Sequence, residues 1–213
     1  MRTILLSHYG VLLKELPYEG FLRFMKESRP TADPTPFPAL FRRAALGEIS
    51  AEELMRPFGF NFPKAAGEDL LKNYLVFDKQ FYGLAERGMR ENARLVLCAE
   101  DLPEWNRYLR TVFRLDRFFS DVVVSGEEHL PLSDGQLLQK ALERIGETPR
   151  NCTFVSASRE ELAAAARMGM AVKPFFRPAQ TGLRALPQLT ESLFGTDVIW
   201  TKLPYPDPAW RVF

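Results

Sequence analysis

The sequence predicts an α/β protein, a doubly wound parallel Rossmann-like sheet with an inserted all-helical cap domain. Three observations predict it. Short uninterrupted apolar runs recur at TILL (3–6), RLVLCA (94–99), DVVVS (121–125), CTFVS (152–156) and MAVKPFF (170–176), as strands buried on both faces do. Segments of helical periodicity alternate with the last four of them, which is how a parallel sheet is wound. The first run is cut off from the second by a helical stretch from about 14 to 90, which reads as an insertion after the first strand.

Each element has its own local reason. TILL stops at Ser-His-Tyr-Gly, a turn. Residues 17–30 are amphipathic, with Phe21, Phe24 and Met25 on one face. Four prolines in PTADPTPFP (30–38) exclude a helix interior there. A second helix over about 38–46 ends at Gly47, and Ser50 with Glu53 three residues on is a capping box for a third. Gly and Pro over 57–67 read as a loop, and 68–90 as two helices or one bent one. Pro103 opens a helix over 103–113. Leu137, Leu138, Ala141, Leu142 and Ile145 stripe a helix over 134–146 that Gly146 closes. Ser158, with Glu161 at the capping-box position, starts an Ala-rich helix that runs to 168 and ends at Gly169. The expected division is a core of 1–13 and 91–213 with a cap of 14–90.

Composition excludes several function classes. Among 213 residues, 28 Lys+Arg against 27 Asp+Glu leave a net charge of 28 − 27 = +1, so there is no basic footprint for nucleic acid. No apolar run reaches the ~18 residues that span a bilayer. MRTILLSHYG has no long apolar region ending in a small-residue cleavage site, so it does not read as a secretory signal. The expected setting is cytoplasmic, with Cys98 and Cys152 reduced. Two cysteines and two histidines, His8 and His129, are too few for a zinc or histidine-rich metal site.

In open parallel sheets, chemistry sits at the carboxyl ends of the strands. Those ends read Ser7-His8-Tyr9-Gly10, Cys98-Ala99-Glu100-Asp101, Ser125-Gly126-Glu127-Glu128 and Ser156-Ala157-Ser158. In order and spacing, LLSHYGVL, LVLCAEDLPEWNRYLR, FFSDVVVSGEE and CTFVSAS…AAARMGM resemble the four motifs of the haloacid dehalogenase superfamily of phosphohydrolases, in its group with a helical cap after motif one. The resemblance covers essentially residues 1–176. It implies that the family's nucleophile falls at Ser7, its acid/base at Tyr9, its motif-two hydroxyl at Cys98, its lysine near Leu132 and Ser133, and its metal-binding acids at Ser156 and Ala157. Every one of these positions is altered.

The family reaction needs a carboxylate nucleophile and a magnesium ion held by carboxylates. Without them most of a rate enhancement of at least ~10⁶ is lost. The expectation is therefore a catalytically inactive protein of this fold, a pseudoenzyme with no cofactor and no magnesium. It would act by binding or assembly on an unknown small molecule or protein partner, with the space between cap and core as the natural ligand site. The alternative is a phosphatase-like hydrolase with non-standard residues, based on Cys98 or on acids.

Ser7 and His8 are neighbours on a strand and diverge, so they do not form a dyad. Cys98 is either a thiol activated by the helix that begins near Pro103 or a buried inert one. The resembled sheet order sets Cys98 and Cys152 two strand spacings apart, ~9.6 Å, beyond disulfide reach. Glu100, Asp101, Glu127 and Glu128 either make a cation site or are helix-start and loop charges. His8, Glu100, Asp101 and Glu127 are the candidate pocket. Tyr9 either plugs the old phosphate pocket or offers a stacking surface. Trp105 reads as a helix-to-core anchor. The tail aromatics Trp200, Tyr205, Trp210 and Phe213, beyond a short strand DVIWT, form a partner surface or fold back on the core.

Overall fold

A computed structural model describes residues 2–175 and 185–194. Five strands, β1 (Thr3–Leu6), β2 (Arg94–Ala99), β3 (Asp121–Val124), β4 (Cys152–Ser156) and β5 (Ala171–Pro174), form one parallel sheet in the order β3-β2-β1-β4-β5. Alternate residues go to opposite faces, as the pleat requires. Ile4, Leu6, Leu95, Leu97 and Ala99 enter one apolar core. Leu5, Val96, Cys98, Val123 and Phe154 enter the other. Both faces are covered, which is why the strands are apolar throughout rather than alternating.

The helices match the predicted periodicities closely. They are α1 (Pro17–Ser28), α2 (Phe37–Ala45), α3 (Ala51–Met55), α4 (Pro63–Asp69), α5 (Phe81–Arg90), α6 (Pro103–Val112), α7 (Ser125–Glu128), α8 (Gln136–Ile145), α9 (Arg159–Arg167) and α10 (Ala185–Phe194). The Ser50–Glu53 capping box forms with both reciprocal bonds. Two stretches differ from expectation. Part of the 57–67 loop is helical, since α4 starts at Pro63 and continues through a π turn, Leu70–Tyr74. Proline is well placed there, because the first helical position has no use for its missing N–H. Ser125, read as the end of a strand, opens α7 instead. The predicted DVIWT strand and the tail aromatics lie outside the described residues.

The chain leaves the sheet and returns to it side by side. Lys14 N donates to Val76 O (2.9 Å) and Asp78 N to Leu12 O (2.8 Å), with an antiparallel bridge Leu13–Phe77. Between these crossings α1 to α4 build their own aromatic core. Phe21 and Phe37 stack at 3.8 Å between centroids, with Phe58 edge-on to Phe21 at 4.7 Å. α5 lies within the expected cap range of 14–90, yet it packs on β2 and α10.

Candidate functional site

The strand order reverses beside β1, so the natural crevice of the fold lies beyond the carboxyl ends of β1 and β4. The turn after β1 closes much of it. Ser7 N donates to Val155 O (2.9 Å), and Gly10 holds φ +75°. A Cβ on Gly10 would lie 2.5 Å from Ala157 Cβ, so the turn after β1 and the turn after β4 are in backbone-close contact. Only glycine combines that backbone angle with that approach.

Ser7 and His8 lie past the end of β1 rather than on the strand; in the turn they diverge, and each is buried against a different carboxyl group. His8 Nδ1 stands 3.2 Å from Asp101 Oδ2, in contact but off the line of a hydrogen bond. Tyr9 donates its hydroxyl to Asp101 Oδ1 at 2.7 Å. Its ring meets Phe41 of α2 edge-on at 5.8 Å and His8 at 4.9 Å. Burial, and then the charge of Asp101, hold the Tyr9 hydroxyl well above the ordinary phenol range, so it remains a donor.

Asp101 is fully buried and its oxygens are used locally. Oδ1 also accepts from Leu102 N (2.8 Å), and Asn106 Nδ2 lies 3.4 Å from Oδ2. Its backbone N donates to Ser125 Oγ (2.9 Å). A buried polar group of this kind is stable only while its partners hold.

On the other side of β1 a second cluster forms. Ser156 Oγ donates to Glu161 Oε2 at 2.6 Å and accepts from Ser158 N at 2.9 Å. Ser7 also hydrogen-bonds Glu161. Sequence pattern put the Glu161 side chain at the start of α9 as a capping-box partner. Ser158 does cap Glu161 N (3.4 Å), but the carboxyl group turns inward to Ser156 and Ser7. Burial raises it to about 6, against the lowering effect of the two serines.

That shift has a sign. A folded pKa above the unfolded one favours the native state at low pH, and this contribution fades as pH rises through about 6. Glu161→Gln removes the titration. Relative to the wild type, the variant is expected to gain about 2 kcal/mol between acid pH and neutrality. Urea denaturation of both proteins across that range checks it, and a pH-independent difference contradicts it.

The remaining candidates separate. Burial pushes the Cys98 thiol far up, so the expected alternative of an activated thiol has no support: the thiol lies within the apolar core on the α8 and α9 side. Cys98 and Cys152 are both free. Leu132 is buried in the same core. Glu127 turns outward, 3.7 Å from Arg107, and leaves the candidate pocket. Glu128 pairs with Arg144 at 2.9 Å. Glu100 is partly buried, and burial raises its carboxyl above the usual range. Trp105 is buried in the core, as expected of a helix-to-core anchor, and its ring also meets Phe41 of α2 at 6.2 Å.

The structure thus brings together His8, Tyr9 and Asp101, and separately Ser7, Ser156 and Glu161. Sequence reading missed Glu161, Asn106 and Ser125 as site residues. For Glu161 the signal was an apolar strand end, Val155-Ser156, that offers a hydroxyl to the first turn of the next helix.

No protein-family model matches the sequence, and no curated protein matches it. Solved structures do. A predicted HAD-like family hydrolase from Porphyromonas gingivalis aligns with TM-score 0.70 at 20% identity, over 89% of this chain and 97% of that one. A HAD family enzyme from Bacteroides thetaiotaomicron, in complex with magnesium and inorganic phosphate, aligns with TM-score 0.66 at 15% identity, over 86% of this chain and 98% of that one. L-2-haloacid dehalogenase from Xanthobacter autotrophicus, with chloropropionic acid covalently bound, aligns with TM-score 0.63 at 15% identity, over 96% and 92%. Sheet order, the helical insertion after β1 and these alignments agree that the chain has the fold of the haloacid dehalogenase-like (HAD-like) hydrolases.

Proposed function

We propose that this protein is a non-catalytic relative of the HAD-like hydrolases, a pseudoenzyme that works by binding or assembly. One observation carries the reading: Tyr9, buried beneath Phe41, bonds its hydroxyl to Asp101 where the resemblance expects a free acid/base. A ring fixed in that way fills space that a phosphoryl group would need.

The donor set does not fit magnesium. A hard cation takes several oxygen ligands, mostly carboxylates. The implied positions hold Ser7, the carbonyl of Tyr9, Ser156 and Ala157. Two carboxyl groups beside them, Asp101 and Glu161, are engaged by Tyr9, Leu102, Ser156 and Ser7 on opposite sides of β1. No phosphoryl-transfer step is therefore assigned.

In this reading the cap consists of α1 to α4, ending near the 76–78 crossing, and α5 belongs with the core. The partner is a small molecule or a protein, and nucleic acid is not among the candidates, given the balanced charge. Among the described residues no helix is long and apolar enough to cross a membrane. A cytoplasmic setting is part of the proposal, supported by two free buried cysteines.

A second reading has one observation in its favour. Glu161, raised to about 6 and bonded to Ser7, is a carboxyl group near the pKa a general base needs. A panel of phosphomonoesters with magnesium separates the two. The pseudoenzyme reading expects no turnover above buffer. Turnover that survives chelator and is abolished by both Ser7→Ala and Glu161→Gln would establish the second reading, and chelator-sensitive turnover would refute both.

A further inference from the structure

The last carbonyls of a helix have no partner within it; at the end of α2 those of Arg43 and Ala44 are met locally by Glu48 N and Gly47 N, while Ala45 O and Leu46 O find partners across the molecule. Ser125 Oγ, at the start of α7, donates to Ala45 O at 2.5 Å. His129 Nδ1 lies 2.8 Å from Leu46 O. His129 adopts a left-handed backbone, φ 58°, which ends α7. Gly47 follows with φ +73°, and a Cβ there would lie 2.4 Å from Gly126 O and 2.8 Å from His129 Cε1. Gly126 is tight on its far side too, since its own Cβ would lie 2.5 Å from Pro103 Cδ. The end of α2, the start of α7 and the start of α6 are thus stacked in backbone-close contact. Ser125 Oγ also accepts from Asp101 N at 2.9 Å, which ties this stack to the group that holds Tyr9.

We infer that this contact is a latch: Ser125, His129 and the Gly47–Gly126 approach hold the helical insertion shut over the carboxyl ends of the strands, so that the closed form is the resting form. The contacts are short, directional and largely free of ion pairs. Ion pairs flank the contact without forming it: Arg43–Glu48 at 3.1 Å, Glu128–Arg144 at 2.9 Å and Arg107–Glu127 at 3.7 Å. The inference does not depend on whether the protein turns over a substrate, because it concerns which conformation is populated.

Hydrogen exchange on the full chain tests it. Ser125→Ala removes the bond to Ala45 O and, with it, the acceptor of Asp101 N. His129→Asn removes the contact with Leu46 O while keeping a residue that tolerates a left-handed backbone. In the double variant, amides over 37–58 are expected to exchange at least tenfold faster, with β1, β2 and β4 unchanged, because opening is local. Gly47→Ala and Gly59→Ala form a matched pair. Their φ values are +73° and +77°, but a Cβ on Gly59 meets nothing within 4 Å. Gly47→Ala is therefore expected to accelerate the same amides well beyond Gly59→Ala. Wild-type exchange over 37–58 in the double variant would overturn the latch, as would uniform acceleration through the strands. Equal effects of the two glycine substitutions would do the same, and the double variant decides the matter if Gly47→Ala does not fold.

Discussion

Replacing Asp101 with alanine is expected to lower stability by about 4 kcal/mol, the largest loss from any single change at the carboxyl end of the sheet. The side chain is fully buried, and its removal strands several groups at once. Tyr9 Oη, Leu102 N and Asn106 Nδ2 lose an acceptor, and His8 loses the carboxyl group beside it. Each stranded buried group costs roughly 1–3 kcal/mol, so the groups left without their acceptor account together for a loss of about 4 kcal/mol. For a chain of this length that lowers the melting temperature by roughly 8–16 °C. Asp101→Asn keeps the shape and the Oδ1 acceptor, so its loss is expected to be less than half as large. Calorimetry of the two variants checks both the size and the order. An alanine variant as stable as the asparagine variant would show that Asp101 is not the organising group.

Phe37→Ala is expected to have a comparable effect, about 4 kcal/mol, by a different route. Phe37 opens α2 and is wholly buried. It stacks on Phe21 at 3.8 Å and also meets Phe41 at 5.6 Å and Phe58 at 6.2 Å. Truncating such a ring removes its transfer free energy and leaves a cavity, together about 3–5 kcal/mol. Phe37→Leu fills most of the space, and its loss is expected to stay below about 1.5 kcal/mol. Guanidinium denaturation followed by circular dichroism checks the pair. If both substitutions are equally mild, α1 to α4 do not share one packed core. The Phe37 result bears on the site because Phe41, one turn further along α2, is the ring that covers Tyr9.

Much of this architecture was legible in the sequence because the physics is local. A strand covered on both faces must be apolar at every position, so TILL, RLVLCA and CTFVS announce themselves. The capping box at Ser50 is read from a four-residue spacing, and it forms as written. The divergence of Ser7 and His8 was expected from the pleat, but both lie in the turn past the end of β1, so the turn sets it. Other features depend on partners far apart in the chain. Tyr9 and Asp101 are 92 residues apart, and no periodicity links them. Glu161 illustrates a genuine ambiguity. Ser-x-x-Glu gives the same pattern whether the carboxyl group caps its helix or turns inward, and here the hydroxyls of Ser7 and Ser156 decide it. The helix starting at Pro63 was hidden because Gly67 lowers helix propensity. The glycine is there because a Cβ would lie 3.0 Å from Trp105 Nε1, a tertiary demand that local propensity does not register.

The central claim is that the carboxyl end of this sheet neither seats a divalent cation nor accepts a phosphoryl group. Thermal unfolding of the wild type, with and without saturating magnesium and the phosphoryl mimic beryllofluoride, tests it most directly. A ligand that binds only the native state raises stability by about 2.7 kcal/mol at a hundred times its dissociation constant, a rise of several degrees for a chain this size. Superimposable transitions are the expected result. A saturable upward shift that needs both magnesium and beryllofluoride, and that Ser7→Ala or Tyr9→Phe abolishes, would contradict the account.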